Sequence, residues 1–157
     1  TEGAACTALQ ARELIDNDDP LMIVNSDQLI DWNVDDFLAC AKGWSGCIAT
    51  FSAHDPKWSY VMTEGPFVVR VVEKKCVSDQ ATCGIYWWKH GKDFVRSADK
   101  MIAENTRTNG EYYIAPTFNE FEGHVTTYRL PTRAMHGLGT PEDLEAYLAL
   151  GREGAHA

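Results

Sequence analysis

Four apolar residues in an unbroken row, Leu21-Met22-Ile23-Val24, give way at once to four polar ones, Asn25-Ser26-Asp27-Gln28. Such a run, of strand length, predicts a strand buried on both faces, as in the middle of a parallel sheet. Ahead of it, Cys6 to Ile15 predicts a helix with Leu9, Leu14 and Ile15 on one face, stopped by Asp16-Asn17-Asp18-Asp19-Pro20. Behind it, Asn33 caps a second predicted helix, with Asp35 and Asp36 in its first turn, an apolar face of Val34, Phe37, Leu38 and Ala41, and Gly43 at its end. Gly46 to Phe51 predicts another buried strand. Helix, strand, helix, strand is the rhythm of a parallel α/β sheet.

The middle of the chain changes character. After the loop His54-Asp55-Pro56-Lys57 come short predicted strands at Trp58–Met62, Phe67–Glu73 and Thr82–Trp88, joined by turns and suited to antiparallel pairing. Lys92 to Asn105 predicts an amphipathic helix whose core stripe is Phe94, Val95, Ala98, Met101 and Ile102. Tyr112 to Phe121 predicts a short helix that takes Pro116 in its first turn, and His124 to Leu130 a strand. Thr140-Pro141-Glu142-Asp143 opens a last helix with Thr140 as N-cap, Pro141 at N1 and Asp143 at N3. Leu144, Tyr147 and Leu148 would pack, and a frayed tail would begin at Gly151.

Residues 1–157 hold enough apolar sequence for one domain with a good core. The formal charge of −9 argues against a nucleic-acid backbone as the main partner. No apolar run approaches membrane-spanning length, so no membrane partner is expected. Cys6, Cys40, Cys47, Cys76 and Cys83 are odd in number, form no C-x-x-C pair and sit among apolar or small residues. They predict free thiols in a reducing, cytoplasmic compartment.

Candidate chemistry begins at Asp27, the carboxylate that ends the first strand. Ligands of open α/β sheets bind beyond the carboxyl ends of the strands, and a carboxylate there suits Mg²⁺; the alternative is that Asn25 to Gln28 merely form a turn. Gly3-Ala4-Ala5, entering the first helix, either lets a ligand approach the backbone or serves tight packing. Glu73-Lys74 ends a strand in the same manner as Asp27. On spacing alone it reads as a solvated ion pair; at a site it would offer a ligand both signs of charge.

Seven segments in order resemble the sugar-phosphate nucleotidyltransferases, with the closest look to the bacterial capsule and surface-polysaccharide branch. They are Gly3-Ala4-Ala5, Asn25-Ser26-Asp27-Gln28, His54-Asp55-Pro56-Lys57-Trp58-Ser59-Tyr60, Val72-Glu73-Lys74, Gly84-Ile85-Tyr86, Asn109-Gly110-Glu111 and Gly139-Thr140-Pro141-Glu142-Asp143-Leu144. The resemblance implies a three-layer, Rossmann-like mixed α/β sheet and transfer of a nucleotidyl group from an NTP to a phosphorylated small-molecule acceptor, releasing pyrophosphate. It assigns the nucleobase to Gly3 and Ala4, Mg²⁺ to Asp27, and the acceptor pocket to Tyr60 or the backbone beside it. Glu73 would hold acceptor hydroxyls, Lys74 the phosphates, Gly84 would let the acceptor approach the sheet, and Glu111 would sit on the acceptor side. Alignment of two phosphates by a metal and a lysine needs no nucleophilic side chain.

Two departures bear on these expectations. The family's opening strand and glycine-rich phosphate loop have no counterpart, which predicts an amino-terminally truncated domain, the carboxyl-terminal two-thirds of the family's. Alone, it would be inactive and self-associating through an open sheet edge. Gly137 also stands where many members carry a second metal-binding Asp, leaving Asp27, with His136 as a possible helper. Two other functions compete: a non-catalytic remnant that binds a sugar phosphate, a nucleotide sugar or a partner chain, and a glycosyltransferase of related fold. The latter would want an Asp-x-Asp pair where this chain has Asn25-Ser26-Asp27.

Overall fold

The computed structural model describes residues 1–154. A broken helical segment comes first: α1 (Ala4–Ala8), a 3-10 turn (Leu9–Ala11) and α2 (Arg12–Ile15). There follow β1 (Leu21–Val24), β2 (Gln28–Ile30), α3 (Val34–Ala41), β3 (Gly46–Ser52), β4 (Ser59–Glu64), β5 (Phe67–Glu73) and β6 (Gln80–Trp88). The rest is α4 (Gly91–Ala103), a 3-10 turn (Ala115–Glu120), β7 (Val125–Arg129), a second 3-10 turn (Thr132–Ala134), β8 (Met135–Gly137) and α5 (Pro141–Gly154).

The sheet is organised around β6. Its order is β5-β4-β6-β3-β7, with β1 also paired to β6. β3 runs antiparallel along one edge of β6 and parallel to β7. The other edge is shared: β4 meets it at Ala81 and β1 from Ile85 to Trp88, both antiparallel. Between them the edge of β6 lies open around Thr82 to Gly84, and this gap becomes the site.

Side chains alternate across the central strands, as the pleat requires. Ile48, Tyr86 and Trp88 enter one core with the α4 stripe of Phe94, Val95, Ala98 and Met101; Trp88 stacks on Phe118 with ring centroids 4.4 Å apart. Cys47, Ala49, Phe51, Ile85 and Trp87 enter the other, with Phe37 and Ala41 of α3. Helices on both faces of a mixed sheet give the expected three layers.

Several expectations need correction. The Leu21–Val24 run is not doubly buried: its residues alternate half-buried and exposed, and among the described residues it pairs only with β6. β3 and β6 hold the doubly buried positions. β1 and β3 do point the same way, but β6 runs between them, so they are not neighbours. The first helix is interrupted by its 3-10 turn and leaves Leu14 78% exposed. In α5, Thr140 caps as expected, accepting from the Asp143 amide at 3.1 Å, yet Leu144 and Leu148 are exposed and only Tyr147 packs, its ring 5.3 Å from that of His136. The helix continues through Gly154, past the predicted fraying at Gly151; the residues beyond it lie outside those described. The pairing of β2 with β8 had no sequence signal strong enough to predict. Among the described residues no helix is long and apolar enough to cross a membrane, and all five cysteines are free.

Candidate active site in the gap of β6

A bulge makes the floor of the gap. Ile48 pairs with Tyr86 and Thr50 with Thr82, so Ala49 alone faces three residues of β6. The middle one, Gly84, takes φ +71°, where a Cβ would lie 2.6 Å from the Asn25 side chain. The segment after β1 is tied to this bulge: the Asn25 amide donates to the Gly84 carbonyl at 2.8 Å, and the Gln28 side chain donates to the Cys83 carbonyl. It is tied equally to the segment before α5, because Gln28 pairs with Gly137 and the Leu138 amide donates to the Asp27 carbonyl at 2.8 Å. Asp27 is thereby fixed on the wall of a cavity of about 410 Å³.

The opposite wall comes from the β4–β5 hairpin. Cross-strand partners in an antiparallel pair project to the same face; Ser59 is opposite Glu73, and its hydroxyl donates to the Glu73 carboxylate. The Glu73 side chain is only 4% exposed, and burial pushes its pKa above the usual carboxylate value, against the pull of Ser59 and Lys74. This overturns the solvated-pair reading. Lys74 sits 3.7 Å from Glu73, has a left-handed backbone at φ 57°, and donates to the Lys57 carbonyl at 2.6 Å. Tyr86 and Thr82 complete the floor with hydroxyls 3.0 Å apart, the buried Tyr86 phenol raised in pKa by desolvation.

Of the residues predicted to form the site, Ala4, Asp27, Glu73, Lys74 and Gly84 line this one cavity. The other three lie elsewhere. Gly3 does not line it; at φ +126° a Cβ there would meet the Tyr112 carbonyl oxygen at 2.5 Å, so this glycine serves packing of α1. Tyr60 is fully buried in the core, its hydroxyl donating to the Asp55 carbonyl at 2.7 Å and its pKa pushed up to about 12 by burial; its neighbour Ser59 faces the cavity instead. Glu111 is exposed and does not line the cavity; its nearby carboxylate is the main reason the phenol of Tyr113, which does line it, rises to about 12. His136 packs on Tyr147 and does not line the cavity.

Lys57 and Asp143 were missed as site residues, and both line it. The Lys57 ammonium is 3.5 Å from the Asp143 carboxylate and 4.9 Å from the Trp58 ring centroid. Both fell inside segments singled out for their spacing, where Asp143 explained itself as a helix-start acid and Lys57 as a loop residue.

The donor set can be tested against a metal. Among the described residues no three His, Cys, Asp or Glu side chains group to hold an ion by themselves. One or two carboxylates on the wall of this cavity fit Mg²⁺, which keeps its waters and takes phosphate oxygens from substrate, and do not fit a closed zinc site.

The fold has clear counterparts among solved structures. A nucleoside-diphosphate-sugar pyrophosphorylase from Vibrio cholerae superposes with a TM-score of 0.79 at 20% identity, covering 95% of this chain and 66% of its own. A UDP-glucose pyrophosphorylase solved with UDP-glucose gives 0.74 at 17% identity, covering 97% and 63%. This chain therefore spans a little under two-thirds of the length of the structures it matches. No protein-family model and no curated protein matches the sequence. The class defined is one of architecture: a mixed α/β protein with the nucleotidyltransferase fold. The structures it matches include nucleotide-sugar pyrophosphorylases, and at 17–20% identity the likeness is one of fold.

Proposed function

We propose that the cavity receives the phosphorylated acceptor in a Mg²⁺-dependent nucleotidyl transfer. An oxygen of the acceptor phosphate would attack the α-phosphorus of an NTP, the bond to the β-phosphate would break, and pyrophosphate would leave. The observation that carries this reading is the convergence of Asp27, the adjacent Glu73 and Lys74, and Gly84, from three separate segments, on one cavity.

In this reading Asp27 would hold the metal, whose charge would offset the negative charge that develops on the phosphates. Lys74 grips the acceptor phosphate. Glu73, buried and fixed by Ser59, accepts from an acceptor hydroxyl, and Gly84 leaves room for a sugar ring against β6. Ala4, which lines the cavity, offers its main chain toward the nucleobase. We place the product among nucleotide sugars for surface polysaccharide on the sequence resemblance alone. We also propose a homo-oligomer joined at the outer edge of β1, where Met22 and Val24 are exposed.

The test is thermal shift with nucleoside triphosphates, nucleotide sugars and hexose 1-phosphates, with pyrophosphate release and light scattering measured alongside. Stabilisation with pyrophosphate release supports transfer and overturns the expectation that this chain alone is inactive. Stabilisation without release supports the non-catalytic binder, and no response to any of the three ligand classes removes the proposal. A monodisperse monomer would remove the oligomer.

A further inference from the structure

Two glycines in the cavity wall have carboxylates where side chains would stand. A Cβ on Gly137 would lie 3.5 Å from Asp143 Oδ2, and a Cβ on Gly139 would lie 2.9 Å from Asp27 Oδ2. The two acids come from unconnected elements, the segment after β1 and the first turn of α5, yet both reach the same short stretch of chain and line the same cavity. The Asp143 main chain does the capping work, its amide donating to Thr140 Oγ1 at 3.1 Å. Its carboxylate is left for the cavity, where it meets Lys57 at 3.5 Å. That pair is loose and half-exposed, with side chains 48% and 30% accessible for Lys57 and Asp143. Lys74 is held differently, between the Lys57 carbonyl and the buried Glu73. The cavity thus contains one pinned cation and one that can be given up.

We infer that Asp143 is the second carboxylate of the divalent-cation site, reaching from α5 into the space that a side chain at position 137 would fill, and that Lys57 is the counter-ion it exchanges for the metal. This rests on the proposed metal role of Asp27. Mg²⁺ and Mn²⁺ accept such a pair of hard oxygen ligands, with water and phosphate oxygens filling the remaining positions. A divalent cation held by Asp27 and Asp143 would repel the Lys57 ammonium and weaken its hold on Asp143.

Mn²⁺ binding to the whole chain, read from the electron-paramagnetic signal of free Mn²⁺ with Mg²⁺ competing, tests this without any turnover. Asp143→Ala should weaken Mn²⁺ about tenfold or more, the scale on which metal sites respond to lost support. Lys57→Met should tighten it severalfold by removing the competing ammonium. Gly137→Asp in the Asp143→Ala background should regain most of the affinity: Gly137 is not left-handed, and 3.5 Å is ordinary contact, so an aspartate fits. Asp27→Asn separates the two ideas. Loss with Asp27→Asn but none with Asp143→Ala overturns this inference and leaves the proposed metal site standing; no loss with either, or no Mn²⁺ binding at all, overturns both. Should Asp143→Ala fail to fold, unchanged affinity in Lys57→Met overturns the exchange by itself.

Discussion

The ammonium of Lys74 rests on the main-chain carbonyl of Lys57, 2.6 Å away, so the loop that carries one cavity lysine also aims the other. The Lys74 amide donates to the Trp58 carbonyl at 3.1 Å, which makes the same join from the opposite side. The end of β5 and the start of β4 therefore move as one wall.

Lys74→Met should weaken binding of a hexose 1-phosphate by about tenfold or more, since a charge-assisted phosphate contact is worth roughly 1.5–3 kcal/mol. The fold should tolerate the change, because the left-handed backbone at residue 74 is kept. Lys74→Gly should lose the same affinity while gaining about 1 kcal/mol of stability from relief of the φ 57° conformation. Calorimetric titration and urea unfolding of the two variants separate charge from strain. Wild-type affinity in Lys74→Met would make the lysine a surface residue.

Glu73 should give stability an unusual pH dependence. Its carboxyl is buried and its folded pKa is raised, so folding favours the protonated form. The contribution is fully present below the unfolded carboxylate pKa and is lost as pH rises through the raised folded value. Glu73→Gln should match wild type at low pH and become progressively more stable than wild type toward neutrality. Melting temperatures of both proteins across that range check it. A wild type that instead loses ground to the variant on acidification would mean the carboxylate is stabilised as an anion.

Much of the sheet was legible because β3, β4, β5 and β6 each carry an apolar run bounded by turn residues, and β7 an alternating one. The place of Leu21–Val24 was not, because an apolar run reports burial and says nothing about which strand lies beside it. β2 and β8 are three residues each, too short for any period to register. Tyr60 and Ser59 show a sharper limit. The motif located the right strand, but adjacent strand residues face opposite ways, and only the pairing of Ser59 with Glu73 decides which one faces the cavity. Lys57 and Asp143 are 86 residues apart in sequence, and nothing local brings them together.

Asn119 should prove a structural clamp. Its side chain accepts from the Val71 amide and donates to the Val71 carbonyl, both at 2.8 Å, pairing the outer side of β5 as a neighbouring strand would. Val71 is 3% exposed, so Asn119→Ala leaves buried main-chain groups unpaired at a cost of about 1–3 kcal/mol. Asn119→Asp keeps the acceptor and loses the donor, and should fall between. Urea midpoints for the three proteins would reveal this order; equal midpoints would show that water replaces the amide at no cost.

Gly84 ties the fold to the site most directly. At φ +71° an L-residue bears roughly 1–2 kcal/mol of backbone strain, and a Cβ there would also drive into the Asn25 side chain at 2.6 Å. Gly84→Ala should therefore cost more than strain alone and push the Asn25–Gln28 segment, with Asp27 on it, away from the bulge. Removing the obstacle with Asn25→Gly leaves only the backbone term. The double variant should thus be less destabilised than the two single effects added together, a coupling expected between residues in contact. Ligand binding gives the second reading: Gly84→Ala should weaken a hexose 1-phosphate even where the protein is fully folded, because the methyl group occupies the cavity floor. Additive stabilities together with undiminished affinity would mean that β6 and the Asp27 segment can part without consequence, and that the gap between β1 and β4 is not where the ligand lies.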